Sequence, residues 1–205
     1  MRDRARALLI DLDGVLRRFD PAPMIAVEVK YGLKPAALLE TAMSWDLYRP
    51  AMAGEITDDE WMKLVADRLP LDEAEAAAAV AEWQPGRLGE VDPEALEFVR
   101  GVRAAGRKVG LATNATDRLR ADLDALGLTG EVDFILSSWE MKVHKPAPEY
   151  FQQACEAVGE LPKHVLFVDD DDRVIRGARA AGLSGYRWTG PDHVPYLRKV
   201  LDLPD

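Results

Sequence analysis

Near the beginning of the chain the sequence reads Leu9-Ile10-Asp11-Leu12-Asp13-Gly14-Val15. Here a short apolar run, Ala7–Ile10, ends in two carboxylates, Asp11 and Asp13, which are followed by a glycine. On an extended segment, residues two apart point to the same side, so both carboxylates would face the same space. The pattern is either a polar exit from a strand, with Gly14 forming the turn, or a pair of acidic groups that performs chemistry.

Four further short apolar runs predict buried strands later in the chain. They are Lys108–Ala112, Phe134–Leu136, Val165–Val168 and Gly185–Trp188. Helical patterns separate them, over about Pro93–Ala105, Thr116–Leu126, Pro148–Val158 and Asp172–Ala181. Strands that alternate with helices predict an α/β fold, a doubly wound parallel sheet with helices on both faces.

The interval from about Phe19 to Trp83 breaks this alternation, because it contains no convincing strand. Its patterns predict helices over about Ala22–Tyr31, Pro35–Leu47, Asp58–Arg68 and Asp72–Trp83. Proline-rich turn signals precede the interval, and Pro85-Gly86 follows it. We therefore predict an α/β core domain of residues 1–18 and 85–205, with a helical insert of residues 19–84.

Polar groups also follow three of the predicted strands. Thr113 and Asn114 follow the second strand and are suited either to phosphate oxygens or to capping the next helix. Lys145 lies in a proline-rich loop, where it either meets an anion or is solvated at a helix entry. The run Asp169–Asp172 follows the fourth strand, and four like charges need a cation, neighbouring donors or full exposure. Ligands of open α/β sheets bind at the carboxyl edge, so together these groups predict one site.

In this order, the segments resemble the haloacid dehalogenase-like hydrolase superfamily, and within it the phosphatase-type members of subfamily IA. The resemblance covers nearly the whole chain and rests on Asp11-Leu12-Asp13-Gly14-Val15, Thr113-Asn114, Lys145-Pro146 with Pro148-Glu149-Tyr150-Phe151, and Phe167-Val168-Asp169-Asp170. It implies a Rossmann-like core whose first strand lies centrally beside the fourth. It also implies that residues 19–84 form an all-helical cap over the site.

The resemblance assigns catalytic roles to four side chains. Asp11 would be the nucleophile that forms an aspartyl-phosphate, and Asp13 would be the general acid and then the general base. Thr113 would bind a phosphoryl oxygen, with the backbone near Asn114 assisting. Lys145 would bind the phosphoryl group and neutralise its charge and that of Asp11.

The resemblance also implies Mg²⁺ as the cofactor. The expected ligands are Asp11, the backbone carbonyl of Asp13, and Asp170, with possible support from Asp169 and Asp171. One position departs from the family pattern: Val174 occupies the site where an Asp or Asn usually helps to hold the metal through water. Either Asp171 or Asp172 substitutes for that group, or metal affinity would fall or catalysis would be lost.

The expected activity is a magnesium-dependent phosphatase that acts on a small phosphorylated metabolite. The alternatives are a phosphomutase of the same superfamily, a metal-independent dehalogenase, and a degenerate, non-catalytic binding module. Asp13 argues against the dehalogenase, because that branch typically lacks the second carboxylate, and only Val174 favours the non-catalytic module. The resemblance implies that the cap selects the leaving group. Candidates for contacting it here are Arg17, Arg18, Trp45, Tyr48 and Arg49, although solvated charges and core aromatics are common alternatives.

The composition restricts the partners. The chain has 205 residues, with 26 Lys plus Arg against 36 Asp plus Glu, which gives a formal net charge of −10. Bulk charge therefore disfavours nucleic acid and anionic membranes. No apolar run approaches the ~20 residues that span a bilayer, and Ala7–Ile10 is too short for the apolar stretch of a signal peptide. With a single cysteine, Cys155, the sequence fits a reducing compartment, and we expect a cytoplasmic protein.

Overall fold

The computed structural model describes residues 5–203, which form an α/β core and a helical insert. The strands in this range are β1 (Ala7–Ile10), β2 (Arg17–Arg18), β3 (Glu90–Val91), β4 (Lys108–Thr113), β5 (Phe134–Ser137), β6 (Val165–Asp169) and β7 (Ser184–Arg187). The α-helices are α1 (Pro21–Lys30), α2 (Ala37–Ala42), α3 (Trp45–Met52), α4 (Asp58–Arg68), α5 (Glu73–Trp83), α6 (Pro93–Ala104), α7 (Leu119–Ala125), α8 (Ser138–Met141), α9 (Pro148–Val158), α10 (Asp172–Ala180) and α11 (Val194–Val200).

Five strands form one parallel sheet in the order β5-β4-β1-β6-β7. β1 lies at the centre, and Ile10 at its end is in register with Leu111 of β4 and Val168 of β6. The chain builds one side of the sheet with β4 and β5 and then the other side with β6 and β7, so the fold is doubly wound. The predicted α/β fold class is confirmed, with β1 beside β6 as the resemblance implied.

The central strand is apolar throughout because both faces of the sheet are covered. Leu8 and Ile10 of β1 pack into one apolar cluster, which includes Phe98 of α6. Leu9 points the other way, into a second cluster that includes Phe151 of α9. Successive side chains of a strand point to opposite faces, so a strand between two helical layers reads as a continuous apolar run.

The helical insert has an apolar core of its own. Leu38, Trp61, Val65 and Trp83 belong to a third buried cluster, whose buried members all come from α2 to α5 and the residue after α4. A two-stranded antiparallel ribbon, β2 with β3, lies where the chain enters and leaves the insert. The sequence did not predict this ribbon, because two residues are too few to show a strand periodicity.

One helix prediction was wrong. Residues 35–47 were expected to form a single helix, but α2 ends at Ala42 and α3 begins at Trp45. Ser44 adopts an extended backbone conformation, and its hydroxyl donates a hydrogen bond of 2.7 Å to the carbonyl of Thr41. This local side-chain bond competes with helix continuation, which explains the break.

The predicted core domain includes residues 1–4 and 204–205, which lie outside the described residues. Within residues 5–203, no helix combines the length and apolar character needed to cross a bilayer. Cys155 is a buried free thiol in the apolar layer of α9.

Candidate active site

The site lies at the carboxyl edge of the three central strands. Asp11 directly follows β1, Thr113 ends β4 and Asp169 ends β6. The three strands are parallel and hydrogen-bonded neighbours, so their carboxyl ends lie side by side. All three side chains are buried.

Lys145 joins two of these carboxylates. Its Nζ atom lies 3.0 Å from Oδ1 of Asp11 and 2.6 Å from Oδ2 of Asp169. Burial alone would lower the pKa of Lys145, but the charges of Asp11 and Asp169 hold that pKa above its usual value. The lysine is therefore a fixed positive charge at the end of β1.

The side chain of Asn114 positions this lysine. Its Nδ2 donates to the carbonyl of Lys145 at 3.0 Å, and its Oδ1 accepts from the backbone N–H of Lys145 at 2.8 Å. Asn114 was expected to bind phosphate, but its amide group is already used in holding Lys145. The backbone of Asn114, to which the resemblance assigned phosphate binding, and the second N–H of its Nδ2 remain for an anion.

Three carboxylates converge beside Lys145. One oxygen each of Asp11, Asp169 and Asp170 lies within 4.8 Å of the other two. Gly14 makes room for Asp170, because a Cβ at this position, which has a φ of 75°, would overlap Oδ2 of Asp170. Hard carboxylate oxygens in this number suit Mg²⁺.

The electrostatics of the cluster favour a cation. Burial raises the pKa of Asp11 to about 8; the charge of Lys145 opposes this effect, whereas Asp169 and Asp13 add to it. Burial and the charge of Asp169 also raise the pKa of Asp170. One ammonium does not offset three carboxylates, so a divalent cation would stabilise their ionised forms.

Two other candidates for the metal site lie apart from this cluster. The carboxylate of Asp171 caps α10 by accepting from the backbone N–H of Arg173 at 2.7 Å, and it also pairs with the Arg173 guanidinium. Asp172 pairs with Arg176. Val174 is buried in the apolar layer of α10. The structure thus brings Asp169 into the cluster and leaves Asp171 outside it, because the start of α10 uses that side chain.

Asp13 is half-exposed and is held by Arg17, whose Nε donates to Oδ1 of Asp13 at 2.6 Å. The same guanidinium donates to Oδ2 of Asp122 in α7 at 2.9 Å. Arg118 donates to the other oxygen of Asp122 at 2.8 Å. Asp122 was missed in the sequence because nothing in the local pattern of α7 links it to a residue of the first motif.

Two of the five candidate substrate contacts lie beside residues of the site, and three do not. Arg17 is buried beside Asp13, and the hydroxyl of Tyr48 donates to the carbonyl of Asn114 at 3.3 Å. The other three point elsewhere: Arg18 pairs with Asp92, exposed Trp45 contacts the His144 ring edge-on, and Arg49 pairs with Glu55.

A cavity of about 420 Å³ lies between the insert and the carboxyl edge of the sheet, and Asp13, Arg17 and Tyr48 line it. Arg87 and Thr116 also line it, and both contact Asp58 of the insert, which binds Arg87 through both oxygens and accepts from the hydroxyl of Thr116 at 2.8 Å. Because Asp13 is one of the lining residues, the cavity lies directly beside this half-exposed carboxylate.

Sequence comparison relates this chain to known hydrolases. A family profile described as haloacid dehalogenase-like hydrolase matches residues 5–182. The chain is 33% identical over 96 residues to (S)-2-haloacid dehalogenase 4A of Burkholderia cepacia, covering 46% of this chain and 42% of that protein. It is 28% identical over 194 residues to phosphoglycolate phosphatase of Pseudomonas putida, covering 87% of this chain and 67% of that protein. The chain spans about half or less of the length of the curated relatives that it matches most strongly.

A similar solved structure is the HAD family enzyme bt-2542 from Bacteroides thetaiotaomicron, in complex with magnesium and inorganic phosphate. Its TM-score is 0.70 at 25% identity, and the match covers 89% of this chain and 93% of that one.

Proposed function

Since this chain belongs to the haloacid dehalogenase-like hydrolases, we propose that it is a phosphatase that hydrolyses a small phosphorylated metabolite through an aspartyl-phosphate on Asp11. The observation that carries the proposal is the arrangement of Lys145 between Asp11 and Asp169, with a second acid, Asp13, facing the adjoining cavity. A buried carboxylate next to a fixed ammonium is suited to attack a phosphoryl group and to offset its charge.

In the first step, a carboxylate oxygen of Asp11 forms a bond to phosphorus, and the bond from phosphorus to the leaving-group oxygen breaks. Asp13 delivers a proton to that oxygen, so the product leaves as an alcohol. Oδ1 of Asp13 accepts from Arg17, which leaves Oδ2 as the oxygen that carries the proton. Lys145 stabilises the negative charge on Asp11 and on the phosphoryl group.

In the second step, a water oxygen forms a bond to phosphorus, and the bond from phosphorus to Asp11 breaks. Asp13, now a carboxylate, takes the proton of this water. Inorganic phosphate leaves and Asp11 returns as a carboxylate, so atoms and charges balance over the cycle. Thr113, buried at the end of β4, and the backbone of Asn114 are proposed to hold the phosphoryl oxygens.

The residues present fit Mg²⁺, because three carboxylate oxygens lie within 4.8 Å of one another and only one lysine offsets them. Asp11 and Asp170 would hold the ion with the backbone carbonyl of Asp13, and Asp169 would support them. The ion would add positive charge where the phosphoryl group carries negative charge. Val174 offers no oxygen, so the site depends on these groups alone.

The test is hydrolysis of 4-nitrophenyl phosphate by the full chain, with Mg²⁺ and with a chelator. We expect metal-dependent phosphate release, and we expect Asp11→Asn to lower it by at least about 10³-fold. The matched control is Asp172→Asn, which removes an exposed carboxylate of the same acidic run that pairs with Arg176 outside the cluster. The control should retain activity.

The result that would overturn the proposal is full activity in Asp11→Asn. An inactive wild type, across several divalent metals and a panel of phosphate esters, would instead support a non-catalytic module.

Dehalogenation is a second candidate, favoured by the similarity to the Burkholderia cepacia enzyme. Asp13 argues against it, because displacement of a halide needs no proton donor for the leaving group. Chloride release from 2-chloropropionate without phosphate release would replace the phosphatase proposal with this one.

A further inference from the structure

The cavity beside Asp13 has mainly apolar walls. Its volume is about 420 Å³, within the range of small-molecule sites. Its apolar and aromatic lining includes Phe19, Met24, Leu39, Met43, Trp61 and Trp83. A group bonded to phosphate at Asp11 would extend from Asp13 into this space.

Part of that lining is exposed to solvent. Phe19 is 39% exposed, Leu39 is 47% exposed and Met43 is 48% exposed. Exposed apolar surface is unfavourable relative to burial, and clusters of it mark ligand-binding grooves. All three side chains lie on the same cavity, so a single apolar group could cover them.

Three polar side chains of the lining are already engaged by the protein. Arg87 binds Asp58 at 2.7 and 2.9 Å and stacks over the ring of Trp61 at 4.8 Å. The hydroxyl of Thr116 donates to Asp58, and that of Tyr48 donates to a backbone carbonyl. These groups offer a ligand few hydrogen bonds that the protein does not already make.

Each cation that lines the cavity is paired with a carboxylate. The cations that line it are Arg17, Arg87 and Arg118, and their carboxylate partners are Asp13, Asp58 and Asp122. A second anionic group on the substrate would have to compete with these pairs, several of which are largely buried. Breaking a buried pair is costly, because it leaves an uncompensated charge.

We propose that the leaving group of the substrate is uncharged, bulky and apolar, such as an aryl group, so that the substrate is a phosphate monoester of an apolar alcohol. The inference rests on the proposed phosphatase activity. It separates this chain from its Pseudomonas putida relative, which is named for phosphoglycolate, an ester with a carboxylate beside the phosphate.

The test compares kcat/KM for phenyl phosphate, 2-naphthyl phosphate, 3-carboxyphenyl phosphate and phosphoglycolate. Phenol and 2-naphthol are leaving groups of similar basicity, so their ratio reports apolar contact rather than intrinsic reactivity. We expect 2-naphthyl phosphate to exceed phenyl phosphate by about tenfold, and the carboxylated esters to fall at least about tenfold below phenyl phosphate. A naphthyl-to-phenyl ratio near one, or a preference for either carboxylated ester, would overturn the inference. Failure of all four esters would instead overturn the phosphatase proposal.

A pair of variants tests whether the apolar wall of the cavity causes the preference for 2-naphthyl phosphate. Leu39→Glu introduces a charge at the cavity wall and should lower the naphthyl-to-phenyl ratio by about tenfold. Leu64→Glu is the matched control, because Leu64 is 40% exposed on α4 and does not line this cavity. Thermal unfolding checks that both variants fold. If the two variants change the ratio equally, the apolar wall does not select the substrate.

Discussion

Nζ of Lys145 lies 3.0 Å from Oδ1 of Asp11, and both side chains are buried. The loop before α9 thereby delivers a positive charge to the carboxyl end of the central strand. The same nitrogen contacts Asp169 at the end of β6. One ammonium thus links the ends of two neighbouring strands.

Replacing Lys145 should impair both activity and stability. Lys145→Met leaves Asp11 and Asp169 without their cation, so we expect kcat to fall by about 10²–10³-fold. The free energy of unfolding should fall by about 3–5 kcal/mol. Phosphate release and urea unfolding measure the two effects. Lys142→Met is the control, because exposed Lys142 donates to the carbonyl of Gly54 and lies over the ring of Trp139, and it contacts neither carboxylate. Equal effects of the two variants would contradict the assigned role.

Replacing Asp13 should trap the intermediate. Asp13→Asn keeps an oxygen for Arg17 but cannot donate or accept the catalytic proton, so turnover should fall by about 10²–10⁴-fold. With 4-nitrophenyl phosphate, whose leaving group needs little protonation, the protein should accumulate in a phosphorylated form detected by mass spectrometry. The double variant Asp11→Asn/Asp13→Asn should show no such mass. Phosphorylation of the double variant would show that Asp11 is not the nucleophile.

Two neighbouring arginines should differ in their effect on stability. Arg17 is buried between Asp13 and Asp122, whereas Arg18 is exposed and pairs with Asp92 at 3.2 Å. Arg17→Met should lower the free energy of unfolding by about 3–5 kcal/mol, since it leaves the carboxylate of Asp122 with less compensation. Arg18→Met should cost about 0–1 kcal/mol. Urea unfolding distinguishes the two, and an equal cost would show that burial of Arg17 adds nothing.

The contact of Asp58 with Arg87 should make stability depend on pH. Burial alone would raise the pKa of Asp58, but the hydrogen bonds and charge of Arg87, with the bond from Thr116, hold that pKa below its usual value of 3.8. The stabilisation is therefore complete above the pKa of the unfolded chain and is lost as the pH falls through the lower folded value.

Asp58→Asn should accordingly cost about 2–4 kcal/mol at pH 7, and the difference from wild type should shrink below about pH 4. Urea unfolding across this pH range measures it. The control is Asp59→Asn, an exposed neighbour in the same helical turn, for which we expect less than about 1 kcal/mol. A difference that persists unchanged at low pH would rule out the ion pair as its source.

Most of the sheet and most of the site could be predicted from the sequence. Strand and helix periods are set by backbone geometry, so the apolar run that ends at Asp11 was visible locally. The parallel sheet then required the carboxyl ends of β1, β4 and β6 to meet, which brought Asp11, Thr113 and Asp169 together.

Other features depended on contacts that leave no local pattern. Asn114 was predicted as a phosphate ligand, and nothing in the sequence indicated that its side chain also holds Lys145, from a loop 31 residues away in the chain. Asp171 was a possible metal ligand, but it caps α10. The pairing of Arg17 with Asp122 joins residues 105 apart.

The sequence by itself therefore determined the succession of strands along the chain, the carboxylates at their ends and the presence of a helical insert, because each follows from short-range periodicity and turn chemistry. Only the tertiary structure decided which charges pair and which apolar side chains remain exposed around the cavity. Those outcomes depend on how the insert packs on the core, and packing brings together residues whose separation along the chain carries no signal.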